Sequence, residues 1–183
     1  MITAINKKYK EEIIPKMKEK FGYKNSLAVP KLQKVVLNVG VGRLSQQSNF
    51  DKLLPEIISD ISLITGQKPT TTSVKKSIAG FKVREGQTVG LKVTLRRNKM
   101  KDFLEKMTNI VFPRVKDFRG IDIKNVDKNG NLTIGIKEHV VFPEINFETL
   151  KVDFGVQISI VSNAKTREEA IELYKLLKIP FKK

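Results

Sequence analysis

From Leu91 to Arg97 the chain alternates strictly, with Leu91, Val93 and Leu95 on one side and Lys92, Thr94 and Arg96 on the other. A period of two is the mark of a half-buried strand. One face must meet a core, and the other is cationic and hydrogen-bonding. The same stretch, from Ser73 to Arg97, holds seven basic residues against one acid, Glu85, and is punctuated by Gly80, Gly86 and Gly90. A surface of that kind suits a phosphate backbone. The whole chain supports this direction. Its formal net charge is +16, and residues 1–100 carry 20 basic and 7 acidic side chains against 15 and 12 in residues 101–183. The anion-facing surface therefore belongs mainly to the first half.

At 183 residues and 40 % apolar content the chain can bury a core, and it is expected to form a single domain over 1–183. It has no cysteine, so neither a disulfide nor a thiolate metal site is available. No apolar run approaches the roughly 20 residues that span a bilayer. The amino-terminal segment lacks the apolar core of a secretory signal. The expected setting is cytoplasmic, with no membrane partner.

The elements follow from periodicity. Thr3 is a plausible cap for a first helix with Ile5, Tyr9, Ile13 and Met17 on one face, interrupted at Pro15 and ended by Gly22. Residues 31–41 read as a strand, with Val35, Leu37, Val39 and Val41 on one face and Lys34, Val36, Asn38 and Gly40 on the other. Ser48 or Asn49 caps a second helix that Gly66 closes, with a kink expected at Pro55. Residues 67–74 are extended, and Pro69 favours an edge position. Residues 81–84 and 90–97 look like the two arms of a hairpin. Asn98 is expected to cap a third helix carrying Met100, Phe103, Leu104, Met107 and Ile110 and stopping before Pro113. Strands follow around Leu132 to Ile136 and Phe154 to Ile160, with a turn at Asn129-Gly130. Thr166-Arg-Glu-Glu169 is a capping box for a last helix. Strands in runs, rather than strict βα alternation, predict an α+β fold: a twisted, mainly antiparallel sheet with helices on one face and the other face open.

Catalytic constellations are missing. His139 is the only histidine and has no obvious partner in sequence, which favours a surface or core role. Gly40-Val-Gly42 lacks the third glycine of a dinucleotide loop. Asp122 and Asp127 lack calcium-loop spacing. The alternative to a binding protein is a basic nuclease or nucleic-acid-modifying enzyme. Such an enzyme needs clustered carboxylates beside its basic face, yet residues 61–100 contain only Glu85. The expectation is no enzyme, no metal and no cofactor. For nucleic-acid binding, Lys34, Lys92 and Arg96 supply charge, while Asn38 and Thr94 supply directional bonds. Phe81, between Gly80 and Lys82, either stacks on a base or packs in a core.

Longer motifs carry a resemblance. They are Val29-Pro-Lys31, Leu37-Asn-Val-Gly-Val-Gly42, Thr65-Gly-Gln-Lys-Pro69, Lys75-Lys-Ser-Ile-Ala-Gly-Phe81 and Gly90-Leu-Lys-Val-Thr-Leu-Arg96. Further along come Pro113-Arg-Val-Lys-Asp-Phe-Arg-Gly120, Gly135-Ile-Lys-Glu138 with Phe142-Pro-Glu-Ile145, and Pro180-Phe-Lys-Lys183. Nearly end to end, the chain resembles the bacterial-type L-five family of large-subunit ribosomal proteins, which bind 5S rRNA. The resemblance implies a sheet similar to the RNA-recognition-motif architecture and a place in the ribosome's large subunit. It implies 5S rRNA contacts at Lys34, Asn38, Gln67, Phe81 and Thr94, to which the charge pattern adds Lys92 and Arg96. It implies a loop near the P-site tRNA at Lys75, Lys76 and Ser77, with the basic Lys82 and Arg84 beside them. Large-subunit rRNA and other proteins of the central protuberance are further implied partners. So is a small-subunit head protein, reached through an intersubunit bridge in the second half. The sequence departs from the family at three places. Arg97 stands where the family usually has glycine, Leu132 where an aromatic is usual, and Arg43-Leu-Ser-Gln-Gln after Gly42 is atypical.

Overall fold

A computed structural model describes residues 7–182 of the chain. Thr3 and Ile5, expected in the first helix, lie outside the described residues. Five strands form one open antiparallel sheet: β1 (Leu32–Gly40), β2 (Thr70–Ser73), β3 (Thr88–Leu95), β4 (Leu132–Ile136) and β5 (Val156–Ser162), in the order β2-β3-β1-β5-β4. Four helices accompany it: α1 (Ile14–Phe21), α2 (Phe50–Thr65), α3 (Arg97–Lys106) and α4 (Arg167–Leu176). The α+β class read from the sequence holds.

Alternation becomes one-sided burial. Val35, Leu37 and Val39 of β1, Leu91, Val93 and Leu95 of β3, Leu132, Ile134 and Ile136 of β4, and Val156, Ile158 and Ile160 of β5 are all buried. Their alternate neighbours Asn38, Thr94, Thr133 and Ser159 are half-exposed, and Gly40, Lys92, Gly135 and Gln157 are exposed. Each residue buried this way contributes on the order of 1.5–3 kcal/mol for a full aliphatic side chain.

Close contacts group the chain into two compact units that interleave in sequence. The first comprises the described residues up to Val35, then Leu95–Ile134 and Ser159 onward; the second comprises Val36–Thr94 and Gly135–Ile158. In the first unit, a π-helical turn Tyr9–Ile13 leads into α1, and Pro15 sits in the first turn, where its missing N–H costs nothing. Ile13, Met17, Val29 and Leu173 form a buried cluster there. The buried Tyr174 hydroxyl donates to Gly130 O at 2.8 Å, and Gly130 takes φ +77° in the turn that Asn129-Gly130 announced. The capping box at Thr166 and Glu169 is formed on both sides.

Four local expectations are corrected. The partner of β3 is not the segment 81–84 but the edge strand β2: Thr70 pairs with Lys92 and Thr71 with Leu91, with a bulge after Thr72. Residues 81–84 instead belong to the connection between these strands, whose exposed side chains have no core to extend against. The third helix starts at Arg97, with Arg96 at the N-cap position and no capping side chain, so Asn98 is not its cap. Nor does it stop before Pro113. A π-helical turn Met107–Val111 carries it into a final turn Phe112–Arg114, with Pro113 near that turn's start, where proline is tolerated. Ile110, expected on the apolar face, is 43 % exposed, because the π-turn changes the helical phase. Asn49 does occupy the N-cap of α2, without a side-chain bond, and α2 continues through Pro55. Arg97 adopts φ +51°, the left-handed region in which the usual glycine would be unstrained.

Candidate nucleic-acid interface

The second unit holds most of the expected contact residues. On the open face of β1, Asn38 is half-exposed; on the open face of β3, Lys92 is exposed and Thr94 half-exposed. Lys34 shares the outward register of β1, and Arg96 follows the end of β3 at the N-cap of α3; both belong to the first unit. Gln67 follows the left-handed Gly66 that ends α2 and is exposed; its N–H and C=O both engage the Thr65 hydroxyl.

Part of this face is a trough of about 530 Å³, lined by Asn38, Gly40, Thr72, Gly90, Gly135, Gly155 and Gln157 with the backbone between them. One glycine comes from each of β3, β1 and β4, and Gly155 immediately precedes β5. These four strands are neighbours in the sheet. At about 4.8 Å per strand spacing the floor is roughly 14 Å wide. Gly40 and Gly135 face open space, so nothing rises above the peptide plane there. A bare sheet floor lets a planar base or a sugar-phosphate chain approach the backbone closely. Sequence reasoning found Asn38 but missed Thr72, Gln157 and the glycine row. The signal was present: Gly40, Gly90 and Gly135 each sit at an outward position of an alternating strand. The trough lining does not include Lys34, Gln67, Phe81, Lys92, Thr94 or Arg96.

The remaining residues lie on the connection between β2 and β3. Phe81 is 69 % exposed, which removes the core alternative. Lys75, Lys76, Ser77, Lys82 and Arg84 are exposed as well. The segment is ordered by its own bonds. Ile78 N–H donates to Val83 O at 3.1 Å, Val74 N–H to Gln87 O at 2.9 Å, and Glu85 N–H to the Ser77 hydroxyl at 2.9 Å. Lys82 is held at φ +51°. Cations and one aromatic are thus presented outward on a defined backbone.

His139 is fully buried, as the core reading expected, and it does have partners. Nδ1 lies 2.8 Å from Asp153 Oδ1, Nε2 lies 3.7 Å from Asp60 Oδ2, and the ring stacks on Phe154 at 3.8 Å. Burial pushes the Asp60 carboxyl up from the usual carboxylate range, with the imidazole pulling the other way. Buried and stacked on Phe154, the ring is a structural clamp between Asp153 and Asp60. Among the described residues no group of three or more His, Asp or Glu side chains is arranged to hold a metal ion.

With this geometry in hand, comparison with known proteins is decisive. The family model for ribosomal protein L5 matches residues 25–84, and the model for the C-terminus of the same ribosomal family matches residues 88–181. The large ribosomal subunit protein uL5 of Halothermothrix orenii is 49 % identical over 180 residues, covering 98 % of this chain and 99 % of its own. The uL5 of Desulforapulum autotrophicum is 51 % identical over 181 residues, covering 99 % of both chains. The uL5 of Clostridium acetobutylicum is 46 % identical over 181 residues, again covering 99 % of both. Two adjoining family models and relatives this similar over nearly their whole length show that the chain belongs to the L5 family of ribosomal proteins.

Proposed function

We propose that this chain, a structural constituent of the large ribosomal subunit and not an enzyme, acts there as a single 5S rRNA-binding domain. Its setting is the cytoplasmic ribosome. The observation that carries the reading is the one-sided burial of β1 and β3. It leaves Asn38, Lys92 and Thr94 outward on an open sheet beside a bare glycine floor. Lys34, Lys92 and Arg96 neutralise phosphates, Asn38, Gln67 and Thr94 make directional bonds, and Phe81 stacks on a base or ribose. This binding attaches 5S rRNA to the central protuberance, where large-subunit rRNA and other protuberance proteins are neighbours.

The loop bearing Lys75, Lys76, Ser77, Lys82 and Arg84 approaches the P-site tRNA. Residues 101–145 carry an intersubunit bridge to a small-subunit head protein. Charge supports that division, because acids such as Asp102, Glu105, Asp117 and Asp122 repel phosphate but pair with a basic protein. A groove lined by Glu56, Asp60, Glu144 and Lys151, with Phe147 74 % exposed nearby in sequence, adds acidic and apolar surface of the kind a basic protein partner recognises.

Hydrogen-exchange footprinting with free 5S rRNA tests the assignment. Protection is expected across 67–97. Protection confined to 101–145 would reverse the faces.

A further inference from the structure

The segment after β1, Gly42-Arg-Leu-Ser-Gln-Gln47, stands apart in sequence and has no part in the contacts above. The structure gives it one. Ser45 is fixed to the end of β1, where its N–H donates to Val41 O at 2.8 Å and its hydroxyl to Gly42 O at 2.9 Å. Val41 N–H in turn donates to Val89 O of β3 at 2.9 Å, so Ser45 is referenced to the sheet. From Ser45 the bonds run outward. The Gln87 side-chain amide donates to Ser45 O at 3.0 Å and to the Ser45 hydroxyl at 3.1 Å. Its carbonyl oxygen accepts from Arg84 N–H at 3.1 Å. The neighbouring Gln46 amide donates to Phe81 O at 3.0 Å. Every residue in this chain of bonds belongs to the same compact unit.

We infer that Ser45, Gln46 and Gln87 are positioning residues: a polar strut that fixes Phe81 and Arg84 relative to the sheet before RNA arrives. The inference rests on the reading of residues 75–84 as RNA-contacting. None of the side chains in 74–87 is buried, so hydrophobic packing does not set the position of this segment. The segment's own bonds set its internal shape, but a segment free to swing against the sheet would spend binding energy on being placed, and a strut removes that cost in advance. Amide side chains suit the task. Gln87 donates at one end and accepts at the other, which no carboxylate or ammonium can do at once.

The test uses the intact protein and a 5S rRNA transcript. In free protein, Gln46→Ala combined with Gln87→Ala removes four side-chain hydrogen bonds and is expected to speed amide exchange at Phe81 to Gln87 by about tenfold or more. The thermal midpoint should hold, because both side chains lie outside the core. Affinity for 5S rRNA should fall about 3- to 10-fold. Gln87→Glu keeps the acceptor for Arg84 and loses the donor to Ser45, so it should show a partial defect. In a background that carries both Phe81→Ala and Arg84→Ala the double substitution should cost little further affinity, since the side chains it positions are gone. Unchanged exchange in 81–87 would overturn the strut directly. If Phe81→Ala weakens binding while the glutamine variants bind as the parent does, the RNA reading stands and the strut is refuted. If Phe81→Ala binds normally, the RNA reading fails and the positioning role falls with it.

Discussion

Two connections in the same compact unit, residues 74–87 and residues 137–155, are similar in length and opposite in construction. The first carries Lys75, Lys76, Lys82 and Arg84 against Glu85 and buries none of its side chains. The second carries Glu138, Glu144, Glu148 and Asp153 against Lys137 and Lys151, and it is pinned by the buried His139, Phe142 and Phe154. One connection is held by polar bonds, with Val74, Val83 and Gln87 half-buried and the rest exposed. The other is held by apolar anchors and a histidine clamp beneath a largely exposed surface. The contrast separates the kinds of partner each can take. Exposed cations on a loop with no core of its own suit phosphate, and an anchored segment with acidic and apolar surface suits a basic protein, which is the division the proposed function draws.

The largest effect should come from removing an anchor. Phe142→Ala deletes a side chain with no exposure and should cost about 3–5 kcal/mol of folding stability in chemical denaturation. A loss below about 1 kcal/mol would mean that 137–155 is not held by its aromatic anchors. Phe81→Ala should behave in the opposite way. Binding to 5S rRNA should weaken by about 1–3 kcal/mol, as for a lost stacked base, with little change in stability. A large drop in stability at unchanged affinity would erase the distinction between the two connections. The smallest effect is expected at Lys82, an L-residue at φ +51°. Lys82→Gly should relieve strain of up to about 1 kcal/mol, partly offset by the freer unfolded chain. It should also lower the salt dependence of RNA binding by about one phosphate contact. An unchanged salt slope would place Lys82 away from the phosphates.

The sheet was legible because its strands alternate cleanly. Val35, Leu37 and Val39, or Leu91, Val93 and Leu95, leave no doubt about the inward face. Helix ends marked by chemistry were legible too: Gly22 and Gly66 take left-handed caps, and Thr166 and Glu169 form their box. Pairing was not. Residues 81–84 and the Thr-rich segment 70–73 both looked extended. Nothing local says that β3 takes Thr70–Ser73 as its partner, because register is a long-range property. The run of helix past Pro113 was hidden because a π-turn can absorb what a proline would break. In the interface, outward cations and amides could be read off period two. Period two also marks Gly40, Gly90 and Gly135 as outward, but that they form one floor shows only once four strands stand side by side in the order the fold gives them.

Equilibrium binding of the purified protein to 5S rRNA, to tRNA and to duplex DNA at physiological salt, with Asn38→Ala and Thr94→Ala measured alongside, bears most directly on the open sheet face as the RNA site. Preference for 5S rRNA is expected, with weaker 5S binding by both variants at an unchanged thermal midpoint. Equal affinity for all three nucleic acids, or normal 5S binding by both variants, would contradict that assignment.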